Sequence, residues 1–229
     1  PDFIGVRSLR NYPLEKLVPF IDWTPFFQAW ELSGRFPAIL EDEVVGEAAS
    51  ALYRDAQAML KKIVEQKWLS ANAVFGLFPA NTVNNDDIEI YADKARARVA
   101  MTFHNLRQQT TKPAGRPNLC LADFVAPKET GIRDAIGAFA VTAGLGIDAR
   151  IKAFEELHDD YSAIILKALA DRLAESFAEH MHWRIRREFW GFAKDENLST
   201  DQLVAEGYRG IRPAPGYPAC PDKTKKGPL

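Results

Sequence analysis

Five short apolar runs stand between two helical stretches of the chain, and this arrangement limits the fold more than any other feature. The runs are residues 73–78, 88–91, 97–103, 119–124 and 136–141. Short apolar runs bounded by turn residues are typical of β-strands. Turn-forming residues at 79–81 and 84–87, and a Pro- and Gly-rich segment at 112–117, separate the first runs at distances suited to hairpins. The sequence therefore predicts antiparallel strands.

Helical periodicity dominates the chain on both sides of these strands. Residues 40–68 carry apolar side chains at helical spacing with a charged opposite face, and Thr24-Pro25 predicts the start of a short helix that ends near Gly34. After Asp148 the pattern is helical for roughly forty residues, with a break near residues 158–160. The predicted core stripe of this last stretch consists of Ile165, Leu169, Leu173 and Phe177.

The charge balance and the cysteine content exclude several classes of protein. The 29 basic residues nearly balance the 31 acidic ones, so no electrostatic footprint supports binding to nucleic acid or to an anionic membrane. The uncharged apolar run at residues 135–147 is about half of what a membrane-spanning helix needs. Cys120 and Cys220 are far apart and outside any C-x-x-C motif. We therefore expect a cytoplasmic protein without a nucleic-acid or membrane partner.

A polar stripe follows one face of the last long helical stretch. Its members recur at steps of three and four residues and are Arg172, Glu175, Glu179, His182 and Arg186. The spacing favours a solvated face of ion pairs, and the alternative is a polar lining in which Glu175 and Glu179 do acid–base chemistry. No metal site is predicted, because His180 and His182 point about 200° apart on a helix.

A glycine motif lies where the last strand meets the following helix. Residues 144–149 match the G-x-G-x-x-A form of the dinucleotide-binding fingerprint. That motif needs a second parallel strand about twenty residues later, whereas here the helical pattern continues to Leu169. The sequence therefore favours a tight turn between strand and helix, with a dinucleotide site as the alternative.

A Pro-rich segment follows a short helix near the end of the chain. Ser199 and Gln202 form a capping box that opens this helix, which closes at Gly207. Beyond it, four prolines in nine residues predict an extended backbone whose carbonyls lack intrachain partners. The segment is either a surface strap over the core or a ligand-binding loop, in which Arg212 offers a fork for a carboxylate and Tyr217 offers a ring.

Asp22 is a second candidate for ligand binding. It stands two residues before the helix start at Thr24-Pro25. A carboxylate at this place either complements the positive end of the helix or pairs with the ammonium group of a ligand. The sequence leaves both interpretations open.

Four strings of residues together resemble a known family. They span residues 19–27, 76–81, 136–144 and 209–221, and the last contains Arg212-Pro213-Ala214-Pro215-Gly216-Tyr217-Pro218. Their order and distribution cover nearly the whole chain. The sequence resembles the C-terminal activation domain of cobalamin-dependent methionine synthase, a family that binds S-adenosylmethionine.

The resemblance implies a fold, a ligand site and a reaction. The fold is a single curved, C-shaped α+β domain with a twisted antiparallel sheet and long helices. The S-adenosylmethionine site would contain Asp22, Arg212, Pro213, Ala214, Gly216 and Tyr217. Glu175 and Arg172 would face the cobalamin, which a neighbouring cobalamin-binding domain carries. The implied reaction is reductive methylation of cob(II)alamin, with an electron from a flavodoxin-like reductase and a methyl group from S-adenosylmethionine.

The sequence also differs from the family in two respects. Domains of this family continue past the Pro-rich segment, so residues 1–229 are expected to be an activation domain that is incomplete at its C-terminus. No D-x-H-x-x-G cobalamin motif is present in the sequence. One alternative is therefore a noncatalytic interaction module of the same fold that docks on a separate cobalamin protein. Another is a small-molecule hydrolase or transferase that uses Glu175 and Glu179.

Overall fold

One long strand organises the sheet. The computed structural model describes residues 1–226. The strands are β1 Gly5–Leu9, β2 Ser70–Val83, β3 Asp87–Tyr91, β4 Val99–His104 and β5 Asp134–Leu145. Strand β2 pairs antiparallel with β1, β3 and β5, and β3 pairs antiparallel with β4. The predicted antiparallel sheet is therefore confirmed.

The described part of the chain also forms five α-helices. They are α1 Thr24–Gln28, α2 Gly46–Glu65, α3 Ile147–Glu156, α4 Asp160–Arg184 and α5 Thr200–Val204. A π-helical turn, Ile185–Phe189, continues α4. The break predicted near residues 158–160 is confirmed: His158 has a φ of 57°, and the carboxylate of Asp159 accepts a hydrogen bond from the amide of Ser162 at 3.0 Å. This mixed content of α and β elements agrees with the predicted fold class.

Helix α4 packs its apolar stripe against the sheet. The four side chains of the predicted stripe, Ile165, Leu169, Leu173 and Phe177, are all buried in the main core. A smaller apolar cluster lies at the far end of β2, around Ile88 and Phe103. The main core therefore sits between the helices and the half of β2 that pairs with β1.

Two predictions about local structure are wrong. The strand expected at 119–124 is a 3-10 turn, because the Asp123 carboxylate accepts a hydrogen bond from the Cys120 amide and closes the chain locally. The turn expected at 79–81 lies inside β2. Pro79 stands between the last residue that pairs with β1 and the first that pairs with β3, so its missing N–H costs no ladder bond there.

Some element bounds also differ from the sequence prediction. No sequence pattern predicts β1, whose central side chains are exposed. The helix expected over residues 40–68 is α2, preceded by the 3-10 turn Ala38–Glu41, and the helix that begins at Thr24 ends at Gln28 instead of near Gly34. The predicted domain runs to residue 229, and its last three residues lie outside the described part.

The glycine motif makes a turn between β5 and α3. Gly146 has a φ of 97° and is the N-cap of α3. Strand β5 pairs antiparallel with β2, α3 leads into α4, and no parallel strand follows the motif up to residue 226. The dinucleotide-site alternative is therefore wrong, since it needs a β–α–β unit of parallel strands.

Within residues 1–226, no helix is both long and apolar enough to cross a membrane. The cytoplasmic localisation of the chain stays a prediction.

The turn at Gly146 leads to a first testable prediction. A Cβ added at Gly146 would lie 3.1 Å from the Trp68 carbonyl oxygen, at a φ that L-residues rarely adopt. Gly146→Ala should lower the free energy of unfolding by about 1 to 2 kcal/mol in urea titrations. Gly144→Ala is the matched control, because its Cβ would make an ordinary contact with Ala170 at 3.7 Å. Equal effects of the two substitutions would contradict this account of the turn.

Candidate ligand-binding site

The polar stripe of α4 is mostly covered. Glu175 is exposed and Arg172 is half-buried, but Glu179, His182 and Arg186 are buried. The prediction of a solvated face of ion pairs is therefore wrong for the second half of the stripe. Residues 196–212, which follow α4 in the chain, supply the side chains that cover it.

Arg186 is the most deeply buried charge of this face, with no exposed surface. Its Nε and Nη2 donate hydrogen bonds to the carboxylate of Glu196, and its Nη1 donates to Nδ1 of His182 at 2.7 Å. The guanidinium also lies 4.3 Å from the centre of the Tyr208 ring. All three nitrogen atoms and one face of this buried cation thus have a partner, which ties the π-helical turn at the end of α4 to residues 196–208.

Arg212 extends the same network toward the surface. Its Nη2 donates a hydrogen bond to Oε2 of Glu179 at 2.9 Å and lies 3.7 Å from Oε1 of Glu175. The Tyr208 side chain is also close enough to favour the charged form of the guanidinium. Burial lowers the pKa of Arg212, but the facing carboxylates of Glu179 and Glu175 outweigh burial, so the pKa is raised. Arg212 is therefore a held cation, and 23% of its side chain is still exposed.

Glu179 forms a buried ion pair with Arg212. Burial raises the pKa of the Glu179 carboxyl, and the nearby guanidinium groups of Arg212 and Arg186 partly oppose that shift. Its Oε1 has no hydrogen-bond partner in the described part of the chain. A carboxylate that is buried and paired with Arg212 is not free for acid–base chemistry on a substrate, so the arrangement argues against the hydrolase alternative.

The Pro-rich segment is folded into turns rather than fully extended. The amide of Tyr217 donates to the Ala214 carbonyl at 3.0 Å, and the amide of Cys220 donates to the Tyr217 carbonyl at 2.9 Å. Gly216, at a φ of 104°, donates its amide to the Cys220 carbonyl. The prediction of an extended backbone with free carbonyls is thus wrong over 214–220, because turns satisfy these groups locally. The ring of Tyr217 is exposed.

Asp22 caps the start of α1. Its Oδ1 accepts a hydrogen bond from the Thr24 amide at 3.0 Å, which agrees with the first of the two interpretations. The side chain is half-buried. A carboxylate can accept further hydrogen bonds, so this contact is compatible with a ligand-binding role.

The segment before Asp22 packs on the same turns of α4 that hold Arg212. The Phe20 ring lies 4.7 Å from the His180 ring and 5.8 Å from the Trp183 ring, measured between centroids. The hydroxyl of Thr200 donates to the Pro19 carbonyl at 2.9 Å and links this segment to α5. Residues 179–183 therefore position both candidate recognition groups, one through Glu179 and the other through Phe20.

His180 is a buried histidine that contacts Tyr12. The Tyr12 hydroxyl accepts a hydrogen bond from Nη1 of Arg184 and lies at hydrogen-bond distance, 2.8 Å, from Nε2 of His180. Burial lowers the pKa of His180 to about 4, with Arg184 adding to the shift. The imidazole is thus neutral at neutral pH.

Several members of the network were not identified from the sequence. Tyr208 and Glu196 lie outside the helical stripe, and Tyr12 is far from it in the chain. These residues contact the stripe only in the folded chain, so the sequence alone does not indicate their partners. The described residues contain no group of three or more His, Cys, Asp or Glu side chains that could hold a metal ion.

Comparison with known proteins identifies the family. Residues 13–229 match the family model described as the vitamin B12 dependent methionine synthase, activation domain. The chain belongs to this family. The predicted family is thereby confirmed, and the activation domain is part of a cobalamin-dependent methionine synthase, a methyltransferase.

A solved structure supports the fold of the activation domain. It is the crystal structure of the MetH reactivation domain bound to AdoHcy, which is 56% identical in sequence. The match covers 98% of this chain and 68% of that chain, with a TM-score of 0.92. The predicted mixed fold with an antiparallel sheet is confirmed.

The buried histidines predict a pH-dependent stability. Burial, together with the nearby guanidinium groups of Arg186 and Arg212, lowers the pKa of His182 to about 3. Between pH 7.5 and 5.0 the unfolded chain takes up a proton at this residue and the folded chain does not. Stability is therefore lost as the pH falls, and His182 alone should lower the free energy of unfolding by about 2 kcal/mol over this range.

Urea titrations at the two pH values test this prediction. His182→Asn keeps a hydrogen-bond acceptor for Arg186 but does not titrate, so the variant should lose about 2 kcal/mol of the pH dependence. His158→Asn is the matched control, because His158 is exposed and its φ of 57° suits asparagine. If His182→Asn retains the wild-type pH dependence, the stated role of the buried imidazole is wrong.

Proposed function

We propose that this activation domain binds S-adenosylmethionine and provides the methyl-donor site for reductive methylation of cob(II)alamin. The observation that carries the proposal is the Arg212 guanidinium, held in place by Glu179 and still partly exposed. The relative of known structure was solved with AdoHcy, which differs from S-adenosylmethionine by the transferred methyl group. The activation domain's membership of the B12-dependent family supports cobalamin as the methyl acceptor.

The chemistry of the ligand fits the charges at the site. S-adenosylmethionine carries a carboxylate and an ammonium group at one end. Arg212 suits the carboxylate because a guanidinium can donate two parallel hydrogen bonds to it, and Asp22 suits the ammonium. An opposed pair of charges also fixes the direction in which the ligand lies. Nε of Arg212 is buried and has no partner among the described residues, so the cation retains hydrogen-bonding capacity.

The backbone after Arg212 forms the second part of the proposed site. Ala214, Gly216 and Tyr217 belong to the turns that follow Arg212, and Pro213 directly precedes these turns. Because the turns fix this backbone before a ligand arrives, little conformational entropy is lost on binding. The Tyr217 side chain is 62% exposed and is available for contact with an apolar or aromatic part of the ligand.

The exposed part of the α4 stripe is the proposed cobalamin-facing surface. Glu175 is exposed beside Arg212, and Arg172 lies about one turn earlier on the same helix. We propose that this surface meets the cobalamin-binding domain, which carries the cofactor. The electron would come from a flavodoxin-like reductase. Cobalamin, when bound by its own domain, supplies the metal centre that accepts the methyl group.

Calorimetric titration of S-adenosylmethionine into this chain tests ligand binding. We expect saturable binding, and Arg212→Ala should weaken it at least tenfold, because a charge-assisted contact is lost. Arg209→Ala is a matched control: Arg209 is exposed near the same segment, and its main contacts are with Phe192. Equal affinity of wild type and Arg212→Ala, or no binding by the wild type, would contradict the proposed site.

A second experiment tests the reaction. The chain is mixed with a cobalamin-binding domain in the cob(II)alamin state, a reduced flavodoxin and S-adenosylmethionine, and methylcobalamin formation is followed by absorbance. We expect methylation that Arg212→Ala reduces. If the chain binds the cobalamin domain but supports no methylation, the interaction-module alternative is the better description.

A further inference from the structure

We propose that Glu179 is a positioning residue that orients Arg212 for a carboxylate-bearing ligand. The inference rests on the proposed function, because it concerns the same site and the same ligand. Glu179 itself is not proposed to touch the ligand. It acts through the guanidinium that it holds.

The geometry of the pair supports this role. Oε2 of Glu179 accepts a hydrogen bond from Nη2 of Arg212 at 2.9 Å. Only 7% of the Glu179 side chain is exposed, compared with 23% for Arg212. The carboxylate therefore approaches the guanidinium from the protein interior, and the exposed remainder of the guanidinium is on the solvent side. One end of the cation is fixed, and the remainder can receive a ligand.

The position of Glu179 on α4 makes it a rigid support. The residue lies within a 25-residue helix, five residues before the last one, and the apolar stripe of this helix is in the core. Arg212, in contrast, is in a segment without helix or strand. A long arginine side chain loses rotamer freedom when it binds, and a fixed partner reduces that loss. Glu179 therefore gives the Arg212 cation a fixed partner on a helix.

The other charged neighbours do not substitute for Glu179. Glu175 lies 3.7 Å from Nη2 of Arg212, and its side chain is 58% exposed, so solvent screens this weaker pair. The carboxylate of Glu196 is occupied by Arg186. Among these groups, Glu179 makes the one charged hydrogen bond to Arg212 that the interior protects.

The test compares two ligands that differ at the carboxylate. S-adenosylmethionine and decarboxylated S-adenosylmethionine share the adenosine, the sulfonium and the ammonium group, but only the first can use Arg212 as proposed. Dissociation constants are measured for both ligands with the wild type and with Glu179→Gln. We expect Glu179→Gln to weaken S-adenosylmethionine about fivefold to twentyfold and to leave the decarboxylated ligand within about twofold.

Two further variants complete the design. Glu156→Gln controls for the loss of a negative charge, because Glu156 is exposed and is 3.9 Å from Lys152 on α3. Glu179→Asp keeps the charge but is one carbon shorter, so it should also lose part of the preference for the carboxylate. If circular dichroism shows that Glu179→Gln does not fold, Glu179→Asp replaces it in the comparison of the two ligands.

Each outcome has a definite meaning. Selective weakening of S-adenosylmethionine supports the positioning role. An equal loss of both ligands would mean that Glu179 is merely structural, and tighter S-adenosylmethionine binding would mean that Glu179 competes with the ligand for Arg212; both overturn the inference while the proposed function stands. If the wild type binds neither ligand, or does not prefer the carboxylate-bearing one, the proposed recognition by Arg212 fails first and the inference fails with it.

Discussion

Burial of the charged face of α4 is the constraint on which the candidate site depends. A buried cation or anion is costly unless it has a partner, so each charge on this face must have a counterpart from another part of the chain. Arg186 requires Glu196, and Glu179 requires Arg212. Breaking either pair would leave a buried charge uncompensated. The main effect of the ion pairs is therefore to fix the position of residues 196–212. Their contribution to net stability is the smaller effect.

Two segments that are far apart in the sequence both contact helix α4. Phe20 packs on His180 and Trp183, which brings the Asp22 segment to the same turns of α4 that hold Arg212. The apolar face of the helix is anchored in the core, so its polar face is a rigid support. A site built in this way is organised before a ligand arrives, which reduces the entropy lost on binding.

Local sequence patterns predicted the parts of the fold that local physics controls. Apolar stripes identified α2 and α4, and strand-length apolar runs indicated β2 and β5. Edge strand β1 has no predictive sequence pattern, because its central side chains face solvent. Pro79 alone indicates a turn, and only the pairing of the neighbouring strands allows a proline inside β2. The burial of Glu179 was not predictable from α4 alone, since the covering residues come from later in the chain. Arg212 and Asp22 were identified from residue chemistry and family resemblance, and their partners from the fold.

A crystal structure of this chain with S-adenosylmethionine would test most directly whether α4 organises the binding site. We expect the ligand carboxylate within hydrogen-bond distance of the Arg212 guanidinium, with Nη2 of Arg212 still bonded to Glu179 and the ligand ammonium next to Asp22. A ligand bound elsewhere, or an Arg212 side chain that leaves Glu179 and turns away from the carboxylate, would contradict the claim that α4 organises the methyl-donor site.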